Sequence, residues 1–133
     1  MCIRDRVISA HHCHCKDCQR TTGCGKTTIL YIASKNIKVD GELKFYDSKG
    51  SLGMTIRRGF CENCGSGVLS YAKELPLLKF VKAGTLEDSS WVKVDSVFFT
   101  KSANQWDMPA DDIKCYEVNP NMLDNLKSVI KAL

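Results

Sequence analysis

The sequence predicts an all-β domain. Short β-branched or apolar runs recur every 10–15 residues, and no long helical pattern separates them before the tail. The chain has 133 residues, 44% hydrophobic and 26% charged. It is long enough to bury a core without staples, and it is neither a disordered segment nor a coiled coil.

Val7–Ala10 reads as the end of a strand that feeds a cysteine-rich knot. Arg20–Lys26, rich in Thr and Gly, reads as a turn. Thr27–Ala33 (TTILYIA) is β-branched and apolar, a strand. Glu42–Tyr46 follows the Asp40-Gly41 turn as another, and Asp47–Ser51 reads as a loop. Leu52–Phe60 alternates loosely and carries Arg57 and Arg58. Cys61-Glu62-Asn63-Cys64-Gly65 then forms a hairpin tip, which Gly67–Tyr71 leaves as a strand. Leu77–Ala83 and Val92–Phe99 complete the set. After Asn119-Pro120, Leu123, Leu126, Ile130 and Leu133 keep helical spacing, which predicts a short C-terminal helix packed on the sheet or joining two copies. The chain has no internal repeat, low-complexity stretch or domain boundary.

Charge and hydropathy exclude several classes. No apolar run approaches the ~20 residues of a membrane span. Nineteen Lys and Arg against fifteen Asp and Glu leave +4, spread along the chain, which argues against a nucleic-acid partner. Asp111 and Asp112 read as a solvated turn after Pro109 rather than an acid–base pair. Residues 1–6 (MCIRDR) have neither periodicity nor a cap, and they match the translation of a transposon adapter end used in sequencing libraries. They are expected to be a non-native leader, with one domain over residues 7–133.

The eight cysteines and three histidines carry the chemistry. Cys13, Cys15 and Cys18 are too tightly spaced for ordinary bridges among themselves, and no secretory signal precedes them. A CxCxxC knot turns several thiolates toward one point, as a tetrahedral zinc ion requires. A reducing, cytoplasmic location follows. Three thiolates leave the fourth position either open for a substrate or closed by a protein ligand, with His12 and His14 as the nearby alternatives for a ligand, a shuttle or a supporting donor. An open site of this charge polarises carbonyls poorly but presents a reactive thiolate well, so thiol chemistry is expected. Lys16 and Arg20 could lower thiol pKa values or attract an anion. His11 has no assigned role.

Cys61-x-x-Cys64-Gly65 is a zinc-ribbon half-site, its Gly65 suited to a left-handed turn. None of Cys2, Cys24 and Cys115 supplies a paired second half. Cys24 and Cys115 read as buried small hydrophobes. Trp106 is read as a core aromatic or as part of a pocket wall.

His12-Cys13-His14-Cys15-x-x-Cys18-x-Arg20-x-Thr22-Gly23 resembles a segment of the glutathione-dependent formaldehyde-activating enzyme / centromere protein V family. Phe60-Cys61-x-x-Cys64-Gly65-Ser66, Ala83-Gly84-Thr85-Leu86-Glu87-Asp88 and Ser102-x-x-x-Trp106 with Pro109 resemble its other motifs, in order. The resemblance implies an Mss4-like, β-tent zinc fold. It implies catalytic-type zinc on Cys13, Cys15 and Cys18, and half of a structural zinc site on Cys61 and Cys64. The other half is an N-terminal C-x-C-G strand that this sequence lacks. The implied activity is that of a carbon–sulfur lyase: glutathione coordinates the open zinc position, loses its thiol proton and adds to formaldehyde. Arg57, Arg58, Lys16 and Arg20 are expected to meet glutathione's carboxylates. A non-catalytic zinc module that binds a partner, and a zinc-ribbon nucleic-acid binder, are the competing classes.

Overall fold

The computed structural model describes residues 2–3, 7–120, 127 and 130–131. The run Thr27–Ala33 forms strand β3, with the bounds its composition predicts. It is apolar on consecutive positions because both of its faces are covered. Leu30 and Ile32 face one core layer with Ala10, Leu69, Val81 and Ala83. Ile29 and Tyr31 face a second layer with Cys13, Leu78 and Phe98.

Around β3 the chain builds one mixed eight-stranded sheet in the order β10-β9-β2-β3-β8-β7-β6-β5. Its members are β2 (Val7–Cys13), β5 (Lys44–Lys49), β6 (Thr55–Phe60), β7 (Gly67–Ala72), β8 (Leu78–Lys82), β9 (Ser96–Phe98) and β10 (Lys114–Cys115). The strands β2, β9 and β10 run parallel, and the remaining neighbours are antiparallel. A separate pairing joins β1 (Cys2–Ile3) to β4 (Ile37–Lys38). The all-β class therefore holds.

Three local expectations change. Asp47, Ser48 and Lys49 are strand rather than loop, because β5 pairs with β6 through Lys49↔Thr55 and Arg57 clasps Asp47 at 3.0 Å across the ladder. Most of Val92–Phe99 is irregular, with only Ser96–Phe98 in the sheet. Lys16–Thr22, partly read as a turn, is a helix, α1. The expected C-terminal helix falls largely outside the described residues, with Leu123, Leu126 and Leu133 among those left out; Lys127, Ile130 and Lys131 are helical. No helix among the described residues is long and apolar enough to cross a membrane.

Candidate metal centre

Cys13 ends β2 where the strand is paired on both sides. Its backbone stands opposite Thr27 of β3 on one side and Phe98 of β9 on the other. The next residue continues the anchorage, with His14 N–H donating to the Phe98 carbonyl at 3.0 Å. The chain then turns into α1. Cys15 is its N-cap, and its sulfur accepts from the Cys18 N–H at 3.4 Å. Gly23 closes the helix in the left-handed conformation, at φ 66°. A seven-residue helix is marginal alone, and Gln19 ties this one down. The Gln19 amide donates to the carbonyls of His14 (2.8 Å) and Ser102 (2.9 Å) and accepts from the Asn104 amide (2.9 Å).

This frame gathers the sulfurs of Cys13, Cys15 and Cys18 to within 4.8 Å of one another. Among the described residues this is the one group of three or more such ligand atoms. Three sulfurs in that span could hold a soft metal ion. Hydrogen bonds, first from Cys13 and then from Cys18, hold the Cys15 thiol far below its usual range. Cys13 is pushed up, chiefly by its bond to Cys15.

The cluster opens onto a cavity of about 260 Å³. Ile29, Tyr31, Phe80, Phe98 and Phe99 give it apolar walls. Phe99 adopts φ 58° without being glycine, a strained conformation worth roughly 1–3 kcal/mol. Two cations line the same cavity. Lys82, half-buried on β8, donates from Nζ to Thr27 Oγ1 at 3.0 Å, and its pKa is lowered by burial. Arg58 of β6 donates to Ser48 Oγ.

The histidines do not join the sulfurs. Alternation along β2 puts His11 on the cysteine side, where it stacks on Phe98 at 4.3 Å and bridges Ser96 and Ser9 hydroxyls at 2.7 Å each. Burial lowers its pKa to about 4. His12 and His14 turn to the other face, toward Lys26 and Asp107. His12 meets Thr28 Oγ1 at 2.9 Å, and His14 is buried beside the Gly25 backbone. Neither stands as a fourth ligand.

Cys61 and Cys64 occupy the hairpin tip between β6 and β7, as expected, with Gly65 at φ 77° and its N–H donating to the Cys61 carbonyl at 2.7 Å. Cys64 is exposed and lies 3.2 Å from Ser66 Oγ; that hydroxyl, foremost, lowers its pKa. The pair could hold a metal, but it supplies two sulfurs only.

Several side chains stand elsewhere than expected. Cys24 and Cys115 are exposed, the first in the turn that leaves α1 and the second on the edge strand β10. Trp106 is 70% exposed in a short 3-10 turn, neither core nor wall. Lys16 and Arg20 point to solvent outside the cavity, and Arg57 is spent on Asp47 and the Phe45 ring. Asp111 and Asp112 are an exposed turn, as predicted. Lys82 escapes the sequence reading because it comes from β8, a strand far along the chain that reaches the cysteine strand β2 only across β3. Its signal is a lysine at the end of an apolar strand, and many surface lysines share that signal.

The fold and site define an all-β domain whose three-cysteine group is able to hold a metal beside a cavity. The profile of the glutathione-dependent formaldehyde-activating enzyme family matches residues 1–102, and the chain belongs to that family. No curated protein matches the chain.

Proposed function

We propose that the chain binds zinc on Cys13, Cys15 and Cys18 and uses the adjoining cavity to present a thiol, glutathione in the family's description, to formaldehyde. The supporting observation is the coincidence of three convergent sulfurs with a cavity at their open side. A zinc ion held there would supply Lewis acidity that lowers the pKa of an incoming thiol. The reaction forms one carbon–sulfur bond; the thiol proton ends on the former carbonyl oxygen, giving S-hydroxymethylglutathione.

The chain's own residues contribute around that step. β2 and α1 carry the three sulfurs, and Gln19 ties α1 to the carbonyls of His14 and Ser102. The aromatic walls exclude water, which strengthens electrostatics inside. Lys82 and Arg58 add positive charge where a thiol would lose its proton. Cys61 and Cys64 serve as a structural half-site, away from the cavity. The free thiols fit a reducing, cytoplasmic setting.

The test is the rate of glutathione–formaldehyde adduct formation, followed by exchange NMR. The zinc-loaded chain should accelerate it, and Cys15→Ser should return it to the uncatalysed rate. A zinc-loaded chain without acceleration would favour the non-catalytic, partner-binding reading.

A further inference from the structure

We propose that Lys82 and Arg58 form an anion subsite that selects a thiol bearing a carboxylate. The inference rests on the thiol-presenting reading and adds its specificity residues.

The sheet register sets the distance. Cys13 stands opposite Thr27, and Lys82 stands opposite Ile29, two positions along the same strand. Lys82 Nζ reaches back to Thr27 Oγ1 at 3.0 Å, so its ammonium sits beside the row that carries Cys13. The backbones of β2 and β8 are two strands apart, roughly 10 Å at ~4.8 Å per strand. The Lys82 side chain crosses most of that separation to reach Thr27, so a small thiol at the sulfur cluster brings its carboxylate toward the ammonium. Arg58 comes from β6, two strands beyond β8, and lines the same cavity, near enough to act electrostatically on Lys82 and Cys15.

The anionic groups that act on Lys82 are the thiolates of Cys18, Cys13 and Cys15. Among the described residues no carboxylate pairs with Lys82 or Arg58; their hydrogen bonds go to the hydroxyls of Thr27 and Ser48. Asp17, the one carboxylate among the described cavity residues, lies 3.9 Å from the exposed Arg20. A lysine ammonium carries three donors, and Thr27 uses one. Two partly desolvated cations over apolar walls attract an anion more strongly than the same pair in water. If Lys82 merely balanced the cysteine thiolates, its loss would weaken metal binding and leave thiol preference unchanged. The two roles are thus separable.

The experiment titrates the zinc-loaded chain with three thiols of similar size: 3-mercaptopropionate, 2-mercaptoethanol and cysteamine. Binding is read by calorimetry, with zinc counted in parallel. The expected order is anionic, neutral, cationic, with 3-mercaptopropionate bound about tenfold or more tighter than 2-mercaptoethanol. Lys82→Met should erase most of that ratio with zinc unchanged, Lys82→Arg should keep it, and Arg58→Gln should reduce it. Equal affinity of the wild-type chain for all three thiols would overturn the subsite while leaving the thiol site standing. A preference that survives both Lys82→Met and Arg58→Gln would overturn the assignment to these residues. Binding of none of the three would overturn the thiol reading and the subsite together. The wild-type series decides even if a variant fails to fold.

Discussion

The chain carries the same four-residue pattern twice, and the two copies end in different surroundings. Cys15-x-x-Cys18 lies at the start of α1, beside a central strand that contributes Cys13 and above a cavity with two cations. Cys61-x-x-Cys64 lies on a hairpin tip, with a half-buried and an exposed sulfur and no third ligand among the described residues. A CxxC spacing therefore specifies a chelating turn and little more. What turns one copy into a candidate reaction centre is its tertiary position: strand pairing on both sides of Cys13, and Lys82 delivered from β8.

The largest expected effect falls on the first copy. Cys15→Ser should cost more than the ~10–100-fold in metal affinity typical of outer-shell changes, read by chelator competition, whereas Cys64→Ser should leave the tightest site intact. Next comes the floor beneath α1. A Cβ on Gly25 would collide with Asp107 Oδ2 and lie 2.7 Å from Asp107 Cβ, in a buried spot where Lys26 holds that carboxylate at 2.8 Å. Gly25→Ala should destabilise the fold by about 1–3 kcal/mol in urea unfolding. Gln19→Ala removes two donated bonds and one accepted bond. It should cost about 1–2 kcal/mol and loosen metal binding at the first copy alone. The smallest effect is local to the second copy. Gly65→Ala strains a left-handed turn by about 1 kcal/mol and should leave metal at Cys13, Cys15 and Cys18 unchanged. If Gln19→Ala and Gly65→Ala disturbed both copies alike, the contrast between framed and merely local sites would fail.

How much was legible follows the range of the interactions involved. The β3 run and the hairpin around Cys61 and Cys64 are local matters of branched side chains and turn glycines, and both stand where the sequence puts them. The three sulfurs are legible because six residues of chain hold them together. Helix α1 is not, since KDCQRTT has no apolar stripe and ends in two threonines; its support comes from the Cys15 cap, Gly23 and the distant Ser102 and Asn104. The histidines beside the cysteines mislead for a simple reason: strand alternation sends His12 and His14 to the opposite face. Lys82 and the cavity depend on strand order across the sheet, which no local pattern encodes; Arg58, singled out with Arg57, Lys16 and Arg20 by charge alone, is the one of the four cations that lines the cavity. Exposed Cys24 and Cys115 show that a cysteine's preference for the interior yields to a turn or an edge strand.

The central claim is that Cys13, Cys15 and Cys18 hold a metal whose remaining position faces a thiol. Native mass spectrometry of the zinc-supplemented chain, with and without glutathione, tests it directly. The account predicts a zinc-bearing species that gains one glutathione, both lost together in Cys15→Ser and both kept in Cys64→Ser. Zinc and glutathione retained by Cys15→Ser, or lost with Cys64→Ser alone, would contradict it.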